Sequence, residues 1–278
     1  NFDYIIVGAG SAGCIVAAKL ARAMPKAKIA LIEAGRPITP ADRTVWDPTQ
    51  WLLVSTDPSL EWGYQSVPQP GLDGRSIPMG RAKGLGGCSV HNAMVYVRGG
   101  SLGYDHWATH LGCPGWDYAS LRPYFEEVES TLHITTAASD AFIAALIRSG
   151  ENHGLVYNPD YNERLNEACV SPFQFAISES GQRETSFSAF LSARHPNLVV
   201  ATGWTVERIV IEGNRVARGV VLGAAGRTAE IRAKREIVLA AGAFGSPQLL
   251  MLSGVGPQKH GIDWNSYIPE KGMLAVCS

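Results

Sequence analysis

The chain has 278 residues, 46% of them hydrophobic and 18% charged, which is enough for a large buried core in one or two domains and excludes a disordered or low-complexity protein. Its 24 basic and 25 acidic side chains leave a formal net charge of −1, so no excess of positive charge points to nucleic acid or an anionic membrane, and a neutral small molecule is the expected partner. No apolar run approaches the ~20 residues that span a bilayer, and the five cysteines (Cys14, Cys88, Cys113, Cys169, Cys277) form no C-x-x-C pair, so reduced thiols are expected, with neither a disulfide framework nor a zinc site.

The chain opens on an apolar, β-branched run, Phe2 to Val7, with no visible signal peptide, which slightly favours the cytoplasm; residue 1 is Asn and not Met, so the compartment stays open. Gly8-Ala-Gly10-Ser-Ala-Gly13 follows at once, and a helix is expected from Ser11 to about Ala23. In such a strand–turn–helix, Gly8 permits the tight turn, Gly10 lets backbone approach a pyrophosphate, and Gly13 lets the helix pack on the strand. The helix N-terminus then offers free N–H groups and a positive dipole end to the phosphates. A second strand, Lys28 to Glu33, ends in an acid at the spacing from which a carboxylate reaches an adenosine ribose. A glycine turn alone is a weak signal, but strand, helix, strand and acid in register make a dinucleotide site. Nicotinamide and flavin cofactors share the part recognised there, so this stretch does not choose between them.

Residues 79–99 form a glycine-dense loop leading into an apolar stretch, and such a loop lets backbone lie against a flat ring. His106 and His110 would share a helical face, but no acid accompanies them as in H-E-x-x-H, so they are expected to be polar surface and no metal is assigned. A helix is expected from Leu121 to Ser130. Runs at Leu198 to Thr202, Val206 to Ile211 and Val216 to Leu222, separated by turn residues such as Glu212-Gly-Asn214, predict a small β-meander. The strand Glu236 to Ala241 then leads through Gly242-Ala-Phe-Gly-Ser-Pro into a helix beginning near Pro247 and stopped by glycine.

The N-terminal fingerprint, residues 79–99 and residues 242–256 occur in the order and separation of the glucose-methanol-choline oxidoreductase family, which this chain resembles over nearly all of residues 1–262. Glu61-Trp-Gly-Tyr64 is similar to the family's D-W-x-Y segment. The resemblance implies an α/β fold: a Rossmann-type FAD-binding domain with a β-meander, interleaved with part of an antiparallel-sheet substrate domain. The expected boundaries are 1–125 and 191–262 for the two parts of the FAD domain, 126–190 for the partial substrate domain, and 263–278 for a divergent tail. On that template Gly8, Gly10, Ser11 and Gly13 take the pyrophosphate, Glu33 the ribose, Val206 the adenine through its backbone, and Asn92, Ala93, Met94 and Val95 the flavin. The remaining expected cofactor contacts are Ala12, Ala34, Arg81, Gly86, Gly87, Ser89, Ala241 and Gly242.

His91 stands in Gly87-Cys-Ser-Val-His-Asn92, similar to the G-C-S-x-H-N of relatives resembling choline oxidase and pyranose dehydrogenase, which bond that histidine to the flavin 8α-methyl. A neutral imidazole nitrogen is nucleophilic near physiological pH, so a covalent FAD is expected at His91; the plainer alternative is that His91 only lines the cofactor pocket. Cys88 and Arg183 are read as structural, and Trp62, Tyr64, Trp107 and Trp116 more readily as buried core than as pocket lining.

The activity implied is oxidation of a small-molecule alcohol by hydride transfer to flavin N5. The family's catalytic histidine pair, or histidine and asparagine, comes from a later part of its members, and none of the seven histidines here matches it, so no catalytic base is named. After His260-Gly-Ile262 the resemblance ends. An isolated fragment of this kind is expected to be poorly stable, so that either a second chain completes the fold or the sequence is part of a longer one. The alternatives are a non-redox relative, such as a hydroxynitrile lyase or fatty-acid photodecarboxylase, or a catalytically silent FAD-binding fragment.

Overall fold

The computed structural model describes residues 1–163, 166–213, 215–256 and the backbone of 274–276. In chain order the elements begin with β1 (Phe2–Val7), α1 (Ser11–Ala23), β2 (Ile29–Ile32) and the one-turn helices α2 (Arg43–Trp46) and α3 (Trp51–Val54). Next come α4 (Ser101–His110), α5 (Tyr118–Leu132), β3 (Ile134–Thr136), α6 (Ala141–Asn152), β4 (Val156–Tyr157), β5 (Cys169–Val170) and β6 (Gln174–Ala176). The chain finishes with α7 (Ser186–Phe190), β7 (Leu198–Ala201), β8 (Thr205–Glu212), β9 (Val216–Ala224), β10 (Arg227–Leu239), α8 (Gly242–Leu252) and β11 (Leu274–Val276). Two compact units result: Asn1–Asn92 with Thr185–Ser278, and Ala93–Glu184 between them in sequence.

The first unit is built on a sheet in the order β7-β2-β1-β10-β9-β8, with β11 also pairing β10. The pairs β7–β2, β2–β1, β1–β10 and β10–β11 are parallel, whereas β10–β9 and β9–β8 are antiparallel. Both arrangements share β10: residues 227–232 pair with β9, and from Ala233 onward the strand pairs with β1. This is a Rossmann-type parallel sheet carrying a β-meander, but the meander is β8-β9-β10: the Leu198 run expected as its first strand pairs β2 in the parallel sheet instead. Because the sheet is covered on both faces, its central strands are continuously apolar. Tyr4, Ile6, Ile29 and Leu31 pack with Cys14, Ala17 and Ala21 of α1, while Ile5, Val7, Ala30 and Ile32 pack with Ile209, Val220 and Leu222 of the meander and Leu249 of α8.

Helix α1 runs over Ser11–Ala23 as the sequence predicts. Helix α8 does not begin near Pro247; it begins at Gly242, five residues earlier. Proline removes one i→i−4 bond from a helix, and here that loss falls close to the helix start. The Ser246 hydroxyl, itself buried, accepts the Ala241 N–H at 3.1 Å and closes the same stretch.

In the second unit β3 pairs β6 antiparallel and β4 pairs β5 in parallel. Buried Arg98 donates to Glu129 at 2.6 Å and to Glu163 at 2.9 Å, joining α5 to the loop before β5. The expected boundaries at 125/126 and 190/191 differ from the compact division at 92/93 and 184/185; the first of them lies within α5. His260-Gly-Ile262 and most of the segment read as a divergent tail lie outside the described residues.

Candidate cofactor site

The three stretches singled out in the sequence meet by backbone. Gly8 has φ +97°, a region open to glycine, and a Cβ there would sit 2.4 Å from the Ala240 carbonyl oxygen, just before Ala241 and Gly242. At Gly13 a Cβ would come within 1.9 Å of the Gly8 carbonyl oxygen. These two glycines are therefore demanded by the packing of the protein itself. Gly10 is different: a Cβ there would meet only the Gly87 Cα, at 3.8 Å. At Gly242 it would meet nothing within 4 Å. The space in front of both is open, and Gly10 is the N-cap of α1 with no side chain to satisfy the N–H groups of the first turn, Ser11, Ala12 and Gly13.

The loop of residues 84–91 lies on this turn. The Gly86 N–H donates to the Ala9 carbonyl at 2.8 Å, and a Cβ on Gly87 would come 2.5 Å from the Gly10 Cα. Ser89 donates to the Gly86 carbonyl at 2.6 Å and accepts the Ser186 N–H at 3.1 Å, which anchors the loop to the start of α7. Ser89 and Cys88 are thus loop-packing residues, and Cys88 rests against the cluster of Val45, Leu60 and Val90.

Glu33 is directed at the same turn. One carboxylate oxygen accepts the Ala9 N–H at 3.0 Å and the other the Gly35 N–H at 2.8 Å. Burial pushes its pKa up, and the backbone donors of Gly35, Ala9 and Ala34 only partly oppose this. Each oxygen retains a lone pair for a further donor such as a ribose hydroxyl. Beside it, Trp204 N–H donates to the Glu33 carbonyl at 3.0 Å and Gly203 N–H to the Gly35 carbonyl at 2.8 Å, so the segment leading to Val206 runs alongside Glu33 and Ala34.

At the other end of the loop, His91 is buried, with Nδ1 2.9 Å from a carboxylate oxygen of Glu61. The Arg81 guanidinium lies 4.7 Å from the centroid of the Phe244 ring, which meets Tyr64 edge-on. Asn92 is exposed and closes the first unit; Ala93, Met94 and Val95 open the second, where Met94 is buried with φ +60° and Val95 is exposed. Sequence reasoning gave Glu61 no role. Its one signal was the acid that opens Glu61-Trp-Gly-Tyr64, legible as a contact only once the strand-like pairing of Glu61 with Ala82 is known.

Other expectations change. Trp62, Trp107 and Trp116 are exposed and Tyr64 is half-buried, so these aromatics are not core: Trp62, Tyr64 and Trp116 lie outside helices and strands, and Trp107 takes an exposed position of α4. The rings of His106 and His110 stack 4.5 Å apart on the exposed side of α4, and among the described residues no cluster of metal-ligating side chains forms. Arg183 is fully buried, and burial pushes its guanidinium down to about 10. The described cysteines, Cys14, Cys88, Cys113 and Cys169, are all free thiols, and no described helix is long and apolar enough to cross a membrane.

The comparisons agree with this architecture. A sequence profile described as GMC oxidoreductase matches residues 2–269. An oxygen-dependent choline dehydrogenase of Ectopseudomonas mendocina (strain ymp) is 34% identical over 276 aligned residues, 92% of this chain and 48% of the relative. One of Burkholderia multivorans (strain ATCC 17616 / 249) is likewise 34% identical, over 92% of this chain and 48% of its own length. Among solved structures, pyridoxine 4-oxidase from "Mesorbium loti" superposes with a TM-score of 0.87 at 31% identity, covering 97% of this chain and 56% of that one. A formate oxidase of Aspergillus oryzae RIB40, solved in connection with FAD modification, gives 0.82 at 26% identity over 94% and 50%. The chain spans about half the length of the curated relatives it matches. With the profile match running through almost all of its residues, the chain belongs to the GMC oxidoreductase family.

Proposed function

We propose that this chain is the FAD-holding part of an oxidoreductase that acts on the CH–OH group of a small alcohol. The observation that carries the reading is the bareness of Gly10. Gly8 and Gly13 are explained by the protein's own packing, whereas Gly10 faces open space at the uncapped start of α1, where only a bound group makes use of a missing side chain. The first-turn N–H groups of Ser11, Ala12 and Gly13 bind the pyrophosphate, Glu33 and Ala34 the ribose, and the Val206 backbone the adenine. Arg81, Gly86, Gly87, Ser89, His91 and Asn92 form the flavin side, with Ala241 and Gly242 closing the turn. Bound FAD supplies a hydride acceptor at flavin N5. The residues named here orient it and carry no assigned proton-transfer role, so the catalytic base is left unassigned. His91 serves as the point of covalent attachment through the 8α-methyl.

The test is flavin retention by the purified full chain, followed by anaerobic bleaching with a panel of alcohols that includes choline and pyridoxine. Wild type is expected to hold FAD, Gly10→Leu to lose it without loss of folded structure, and at least one alcohol to bleach the bound flavin. Equal FAD retention by Gly10→Leu would overturn the site. Bound flavin that no alcohol bleaches would overturn the reaction.

A further inference from the structure

Glu61 and His91 approach each other from separate stretches of loop, and both side chains are shielded from solvent, 13% and 8% exposed. The glutamate is fixed from behind. One of its oxygens accepts the Arg81 N–H at 2.9 Å, and the Trp62 N–H donates to the Arg81 carbonyl at 3.0 Å. The other oxygen lies 2.9 Å from His91 Nδ1, an ion-pair contact without the linearity of a hydrogen bond. A buried carboxylate oxygen needs a positive or donating neighbour, and the atom placed against it is Nδ1.

We propose that Glu61 is the positioning residue for flavin attachment at His91. The inference rests on the covalent attachment proposed above. A carboxylate facing Nδ1 favours the tautomer with its proton there, which makes Nε2 the nitrogen whose lone pair is the nucleophile. As Nε2 bonds the flavin 8α carbon, that carbon gives up one hydrogen as a proton, and the electron pair of the broken C–H bond remains on the ring system, which is thereby reduced. Dioxygen then takes the two electrons with two protons, giving hydrogen peroxide and the oxidised, attached flavin. During bond formation the imidazole becomes cationic until its Nδ1 proton leaves, and Glu61 stabilises that charge. An opposite charge this close favours the charged form of its neighbour by about one to three orders of magnitude.

The experiment reconstitutes the flavin-free full chain with FAD in air and quenches samples in acid over time, comparing flavin on the precipitated polypeptide with flavin in the supernatant. Wild type is expected to attach its flavin, His91→Asn to bind FAD and release all of it, and Glu61→Gln to bind FAD with attachment slowed about ten-fold or more. Glu61→Asp keeps the charge and should restore much of the rate, which a merely structural role would not require. If Glu61→Gln fails to fold or to hold FAD, Glu61→Ala takes its place, with the same slowing expected because it too removes the charge facing Nδ1. Attachment at the wild-type rate by Glu61→Gln, or by Glu61→Ala where Gln cannot be used, overturns the role of Glu61 and leaves the covalent reading standing. Wild type that releases all its flavin overturns both.

Discussion

At the scale of single residues, the turn between β1 and α1 concentrates two ionisable groups where water is scarce. Cys14 is fully buried beneath the turn and donates to the Ala9 carbonyl at 3.2 Å. Burial, and then the charge of Glu33, pushes its thiol up to about 12. Only the thiolate reacts with alkylating reagents, so native protein treated with iodoacetamide at pH 8 should keep Cys14 unmodified while the half-buried Cys88, Cys113 and Cys169 react; early labelling of Cys14 in a peptide map would contradict this. Glu33 gives a pH signature. Its folded pKa is raised above the ordinary 4.5, chiefly by burial, so the folded chain holds this proton more tightly than the unfolded chain does. That contribution to stability is complete below 4.5 and is lost as pH rises through the folded value. In cofactor-free protein, Glu33→Gln should therefore flatten the fall of unfolding free energy with pH above 4.5, as read from urea titrations, and identical slopes would refute it.

At the scale of elements, the sequence was most legible where local chemistry and tertiary packing ask for the same thing. The glycines of the first turn and the alanine-rich face of α1 state both a helix and its close approach to the sheet, and α1 falls where it is expected. β10 was harder to read. Only its end, from Glu236, reads as a strand, because Arg227–Glu236 carries the charged side chains of Arg227, Glu230, Arg232, Lys234, Arg235 and Glu236 and only Ile237–Leu239 is continuously apolar, although the strand pairs β9 over 227–232 and β1 from Ala233. No local period announces that one strand changes partners half-way along. α8 was misplaced for a related reason: Gly242, Gly245 and Pro247 read locally as a turn, yet Ser246 and the packing of Leu249 and Leu250 against the sheet hold the stretch helical. The close approach of α1 can be probed directly. Gly13→Ala would drive a Cβ into the Gly8 carbonyl and within 3.3 Å of the Ala240 Cβ, and overpacking of this kind costs about 1–3 kcal/mol. Chemical denaturation should show a loss of that size with α1 still helical by circular dichroism, whereas an unchanged midpoint would mean that the helix stands further from β1 than it does here.

At the scale of the whole molecule, the cofactor is legible in the sequence where the base of the proposed reaction is not. The α1 turn, Glu33 and the segment leading to Val206, to which the proposed reading gives the adenosine diphosphate portion, all lie within the first unit; spacing in the sequence points to the turn and to Glu33, and only the family resemblance to Val206. No residue of this chain, which spans about half the length of the curated relatives it matches, carries a spacing signal for the proton acceptor that the proposed reaction needs. If the adenosine diphosphate portion is held chiefly by the first unit, ADP alone should stabilise the folded protein, because a ligand that binds only the native state adds about 2.7 kcal/mol at a hundred-fold excess over its Kd. The thermal unfolding midpoint should accordingly rise with ADP and rise further with FAD, while riboflavin, which lacks the diphosphate and adenosine, should shift it far less. Gly10→Leu should abolish the ADP response as well as the FAD response, because the side chain would occupy the open space in front of α1 to which we assign the pyrophosphate. A midpoint that responds to riboflavin as strongly as to ADP would place the dominant contacts in the flavin loop and not in the turn, and the division of binding between the two would have to be redrawn.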